Sequence, residues 1–153
     1  MRKASTLIVA GLAAALATPA IASDKADVWA KVKAFDDTFN NGDTKGLIAA
    51  CADDAIIIDD FAPHVWKGPG TCSNWLNALV AYNKAQGITD GVVTIGKPWH
   101  NIVTGDRAYV DVPAKYTYKQ NGKPVVESGS NWTLAFQKVA TGWTITGWSW
   151  AQH

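Results

Sequence analysis

The chain has 153 residues with 14 basic and 13 acidic side chains, a formal net charge of +1, 48% hydrophobic residues and eight tryptophans. That length suits one domain with a substantial core. The even charge balance excludes the basic surface that nucleic acid or an anionic membrane would need.

The N-terminus reads as a bacterial-style secretory signal peptide over residues 1–22. Arg2 and Lys3 precede an apolar run from Leu7 to Ala17, and Ala20-Ile21-Ala22 offers a cleavage site before Ser23. The run is shorter than the roughly 20 apolar residues of a spanning helix, so no membrane attachment is expected after signal cleavage. No cysteine stands at the cleavage site, which argues against a lipoprotein. The expectation is a periplasmic or secreted domain over residues 23–153.

That domain opens with a helix, because Val28, Val32, Phe35 and Phe39 form one apolar stripe, with Ser23 or Asp24 as its cap. Asn40-Asn41-Gly42 ends it. Asp43 or Thr44 caps a second, shorter helix with Leu47, Ile48 and Cys51 on its apolar side. A strand follows from about Ala55 to Ile58 and ends in two adjacent carboxylates, Asp59 and Asp60. His64 and Trp66 come within the next few residues, so acid, imidazole and indole crowd one short stretch. After Gly68-Pro69-Gly70, Thr71 is expected to cap a third helix carrying Cys72, Trp75 or Leu76, Leu79 and Tyr82 on one face, and Gly87 stops it.

From Ile88 onward the chain is rich in Val, Thr, Tyr and Trp, broken by Gly105-Asp106, Asn121-Gly122 and Thr141-Gly142. Asn121-Gly122 is the strongest hairpin signal. Period two places Ala108, Val110, Val112, Ala114, Tyr116 and Tyr118 on one strand face. The same rule places Val126, Ser128, Ser130, Trp132, Leu134 and Phe136 together on the next strand. Trp143, Trp148 and Trp150 cannot all point inward under that rule, so some of them should meet a partner, a helix or solvent.

Helices followed by a long antiparallel meander make an α+β domain. Several pieces add up to a resemblance: Asn41-Gly42-Asp43, Ala52-Asp53-Asp54-Ala55, Trp66-Lys67-Gly68 and Gly142-Trp143-Thr144-Ile145. In order and spacing they resemble the nuclear transport factor 2-like (NTF2-like) or SnoaL-like superfamily, which includes ketosteroid isomerase, scytalone dehydratase and polyketide cyclases. The resemblance implies a cone with three N-terminal helices on a curved, mostly antiparallel sheet, and a homodimer paired through the outer sheet face. It also implies that the second and third helices lie side by side. Cys51 and Cys72, delivered to an oxidising compartment, are then expected to form one disulfide, with two buried thiols as the alternative.

Ala52 to Asp59 looks like the isomerase segment that ends in its catalytic base, which puts the base at Asp59. The isomerase's oxyanion-holding tyrosine and acid fall on Phe35 and Trp132, which do not donate as those groups do. Steroid isomerisation is therefore not expected, and replacement donors would be Tyr82, Tyr116, Tyr118 or His100. Arg107 sits in a turn, unlike the pocket arginine of an epoxide-hydrolase mechanism. His64, His100 and an aspartate match no recognised metal-ligand spacing, so neither a metal nor a cofactor is expected.

Two functions follow as expectations. The leading one is a binding module holding a small hydrophobic or aromatic molecule against Trp66, Trp75, Tyr82, Trp99, His100, Tyr116, Tyr118, Ser130 and Trp132. The alternative is a cofactor-free acid–base enzyme of isomerase, dehydratase or cyclase type, with Asp59 as base and Asp60 and His64 as further catalytic candidates.

Overall fold

The structure is a computed structural model in which residues 17–152 are described. The chain order is α1 (Ala17–Asn40), α2 (Thr44–Ala49), β1 (Cys51–Ile58), β2 (Val65–Trp66), α3 (Thr71–Gln86), β3 (Ile88–Ile95), β4 (His100–Thr104), β5 (Arg107–Gln120), β6 (Lys123–Val139) and β7 (Gly142–Ala151). One sheet runs β2-β1-β7-β6-β5-β3, with β4 also paired to β5. Every pairing is antiparallel except that of β1 with β7. This is the expected α+β arrangement, with helices packed on a bulged and curved sheet.

The stripe Val28, Val32 and Phe35 buries α1 against the sheet. Asn40 then ties the helix end to β3, its amide exchanging two hydrogen bonds with the backbone of Val93 at 2.8 and 2.9 Å. The signal-peptide segment lies outside the described residues as far as residue 16. Residues 17–22 already belong to α1, so the helix does not start at a Ser23 or Asp24 cap. Asp24 instead meets Lys138 of β6. Among the described residues no helix is long and apolar enough to cross a membrane.

Two further helix boundaries differ from expectation. Cys51 begins β1 instead of lying on α2, because Ala50 closes α2 and its carbonyl accepts from Ile145 N of β7, drawing the chain into the sheet. Thr71 is the first residue of α3 and not its cap. Gly70, in the left-handed region at φ 70°, takes the cap position, and Thr71 Oγ1 donates back to Gly68 O at 2.6 Å. Gly87, at φ 66°, ends α3 as expected. A disulfide joins Cys51 to Cys72, fastening the start of β1 to the first turn of α3.

The Asn121-Gly122 hairpin forms as read, with Gln120 opposite Lys123 and both turn residues at positive φ. The pairing register shifts at four places, and two of these shifts, in β6 and β7, overturn the faces read from strict period two. Between Ala114 and Lys115 the β5–β6 register shifts, because β6 carries an extra residue at Gly129, φ 84°. Beyond that bulge the faces exchange: Val126 and Ser128 turn outward, and Glu127, opposite Tyr116, turns inward. A second bulge leaves Thr146 of β7 unmatched, since Ala135 pairs Gly147 while Phe136 pairs Ile145. Trp143 and Ile145 before it, and Trp148 after it, are therefore all buried, and Trp150 is half-buried beside Trp132. The sequence-level conflict between these tryptophans disappears, and with it the aromatic surplus that pointed to an interface.

Candidate functional site

Between the helices and the concave sheet lies a cavity of about 210 Å³. Its lining comes from Phe35, Asp36 and Phe39 of α1, then Asp59, Asp60 and Phe61 just past β1, and Trp75, Leu79, Tyr82 and Asn83 of α3. The sheet adds Ile88 and Val93 from β3, Tyr116 and Tyr118 from β5, Glu127 and Trp132 from β6, and Trp148, Trp150 and Gln152 from β7 and just beyond it. Ten aromatic rings and four carboxyl groups thus share one cavity. No lysine, arginine or histidine is among the described residues that line it.

Asp59 is placed by three local features. It follows the last residue of β1, its backbone N–H donates to His64 O across the following loop, and α3 brings Trp75 over it. Trp75 Nε1 donates to Asp59 Oδ2 at 2.8 Å, and Asp60 N donates to Oδ1 at 2.8 Å. The residue is only 8% exposed. Burial pushes its carboxyl up to about 7, a rise that the two donated hydrogen bonds temper without cancelling.

Asp36 is the second buried acid, 9% exposed, and its Oδ1 has no hydrogen-bond partner. Burial, with the neighbouring Asp37, pushes it up to about 6, while the Asn40 amide pulls the other way. Across the cavity Tyr118 donates to Glu127 Oε1 at 2.7 Å, a bond that holds the phenol proton and raises its pKa to about 12. Tyr116 is raised as well, by burial and then by the Glu127 charge.

The tryptophans form a connected wall. Trp148 meets Trp75 edge-on at 4.8 Å and Trp132 at 6.3 Å, and Phe35 stacks on Trp132 at 5.6 Å. Trp132 Nε1 and Trp148 Nε1, both buried, have no acceptor. The two positions where the isomerase resemblance lacks its donors, Phe35 and Trp132, are thus neighbours in the wall, and one of them carries an unpartnered N–H.

Of the residues singled out from the sequence, Asp59, Asp60, Trp75, Tyr82, Tyr116, Tyr118 and Trp132 line the cavity, and His64, Trp66, Trp99, His100 and Ser130 do not. His64 is exposed in the loop, its Nδ1 3.3 Å from the backbone carbonyl of Asp59. Trp66 is buried behind the wall, 4.9 Å from Phe61 between ring centres. Trp99 is 58% exposed, and His100 is exposed opposite Asp111. Ser130 is fully buried, and its Oγ has no partner.

Sequence reasoning missed Asp36, Phe61, Asn83 and Glu127 as lining residues. Asp36 had a readable signal: Val32, Phe35, Asp36 and Phe39 fall at i, i+3, i+4 and i+7, which sets this aspartate in the apolar stripe. For Glu127 the signal was Gly129, a glycine within a strand, which often marks a bulge.

No protein-family model and no curated protein sequence matches the chain. Solved structures do match it. An NTF2-like protein with a cystatin-like fold from Novosphingobium aromaticivorans superposes with a TM-score of 0.70 at 17% identity, over 89% of this chain and 86% of that one. An NTF2-like superfamily protein from Salmonella enterica serovar Typhimurium gives 0.71 at 12% identity, over 86% and 92%. A ketosteroid isomerase-like protein from Erwinia carotovora atroseptica gives 0.63 at 20% identity, over 84% and 95%. The fold is therefore NTF2-like, and at these identities the likeness extends to the fold alone.

Proposed function

We propose that this is a periplasmic or secreted domain, released by removal of residues 1–22, that holds a small hydrophobic or aromatic molecule inside the cone formed by its helices and sheet. The observation that carries this reading is the cavity wall, ten aromatic rings from five elements and the loop after β1. The domain needs no cofactor for this and works as a homodimer. The test is calorimetric titration of the protein from Ser23 onward with single-ring aromatic compounds. Saturable binding that weakens at least about tenfold in Trp132→Ala supports the reading, and failure of every compound to saturate in the millimolar range refutes it.

One observation favours a second reading, in which Asp59 is the general base of a cofactor-free isomerase, dehydratase or cyclase type of reaction. A buried carboxylate with its pKa raised to about 7 is matched to taking a proton near neutral pH. Here the expectation is exchange of the α-protons of a bound aryl ketone for deuterium, followed by NMR. Asp59→Asn should reduce it at least about 100-fold; equal exchange rates in the variant would remove Asp59 from the chemistry.

A further inference from the structure

The cavity combines two features that a purely neutral ligand does not require. Its acids come from separate elements, with Asp36 on α1, Asp59 and Asp60 after β1, and Glu127 on β6. No basic group among the described lining residues balances them. Buried carboxylates are ordinarily paired, because an unpaired charge in a low-dielectric site is costly. Glu127 has the Tyr118 hydroxyl and Asp59 has Trp75 and the Asp60 amide, but Asp36 Oδ1 has nothing. Trp132, Trp148, Trp150 and Tyr116 line the same cavity. Rings around a negatively charged space are the arrangement that stabilises a desolvated organic cation. Trp132 Nε1 and Trp148 Nε1 of the same wall are also without a partner, and an oxygen acceptor on the ligand would meet that need.

We infer that the ligand is an organic ammonium ion on an apolar or aromatic body, carrying a neutral oxygen acceptor such as a ketone or ester carbonyl. This inference rests on the binding reading above and names its ligand class. The cation would sit among the carboxylates and ring faces, with its oxygen against the indole N–H groups. In this state Asp59 serves as a charge partner, because a neighbouring ammonium favours its ionised form and opposes its use as a base.

The binding has a defined pH dependence. Two groups facing the ligand, Asp36 and Asp59, are raised to about 6 and about 7 and so change charge between pH 5 and 8. Asp60 and Glu127 face it as well, as do the phenols of Tyr82, Tyr116 and Tyr118. Of these phenols, Tyr116 and Tyr118 are raised further and stay protonated in this range. Ammonium affinity therefore rises from pH 5 to pH 8, and that of a neutral ligand does not.

The test is calorimetric titration of the whole domain with phenacyltrimethylammonium and with its carbon isostere, 3,3-dimethyl-1-phenylbutan-1-one, at both pH values. The expected result is an ammonium preference of at least about tenfold at pH 8, smaller at pH 5, and reduced in Asp36→Asn. Equal or tighter binding of the ketone at pH 8 overturns the inference and leaves the binding reading standing. Absence of saturation by either compound overturns the inference as well, and the binding reading then stands or falls with the series of single-ring aromatic compounds. The wild-type comparison of the two isosteres decides the matter even where Asp36→Asn does not fold.

Discussion

Asp59 illustrates how one residue can carry opposing demands. Its two accepted hydrogen bonds, from Trp75 Nε1 and Asp60 N, fix the carboxyl in place, yet burial penalises its charge more than they stabilise it. The folded pKa of about 7 stands above the unfolded value of 3.8, so the folded state holds its proton more tightly. Stability from this group is therefore full below about pH 4 and falls as pH rises toward 7, by an amount on the order of a few kcal/mol. Asp36 adds a loss in the same direction that ends nearer pH 6. In Asp59→Asn the amide presents only one acceptor to two donors, which costs about 1 kcal/mol. The variant should be less stable than wild type at pH 3, where both states of wild type hold the proton, and more stable than wild type at pH 8, as read from urea midpoints. Parallel pH profiles for the two proteins would show that Asp59 is well solvated and rule out the burial effect.

At the level of elements, the site depends on how α3 is held to β1. Cys72 is bonded to Cys51, and Trp75, one helical turn later, donates to Asp59. Replacing both cysteines by alanine should lower the unfolding free energy by about 3 kcal/mol for a bridge that spans 21 residues. A loss below about 1 kcal/mol in urea melts would mean that α3–β1 packing, not the bridge, keeps the helix seated.

Much of this scale was legible in advance. The α1 stripe, the Gly87 stop and the Asn121-Gly122 turn were readable because each depends on local geometry, helical period or positive φ. Face assignments beyond Gly129 in β6 and across Thr146 in β7 were not, because period two carries no information about an inserted residue. Those two bulges decide that Glu127 enters the cavity and that Trp143 and Trp148 are both buried. The position of Cys51 was misread for a related reason: the pull of β7 on the backbone of Ala50 is a long-range pairing that no local pattern announces. Asp59 was legible because the chain around it forms a recognisable local segment, whereas the N–H that Trp75 donates to it arrives only through tertiary packing.

On the scale of the whole molecule, the sheet has a second face. Parity opposite the buried residues sets Ile56 and Ile58 of β1, Ile102 of β4, Tyr109 of β5 and Val126 of β6 on the side away from the helices, each 42% to 62% exposed. Ile102 and Tyr109 are direct cross-strand partners, so they make a contiguous apolar spot instead of scattered residues. With the tryptophans turned inward, these aliphatic and tyrosyl groups are what the proposed homodimer has to bury. Sedimentation of the protein from Ser23 onward should then give twice the single-chain mass. Ile102→Glu combined with Tyr109→Glu should return it to the single-chain mass, because isologous pairing brings like charges together across the interface. Within one chain the two new carboxylates stand directly opposite each other on β4 and β5 and repel, so the isolated fold should also lose on the order of 1 kcal/mol, read separately from urea melts. A wild-type protein that sediments as a single chain at hundreds of micromolar would leave this face solvated and confine the function to the cavity of one chain.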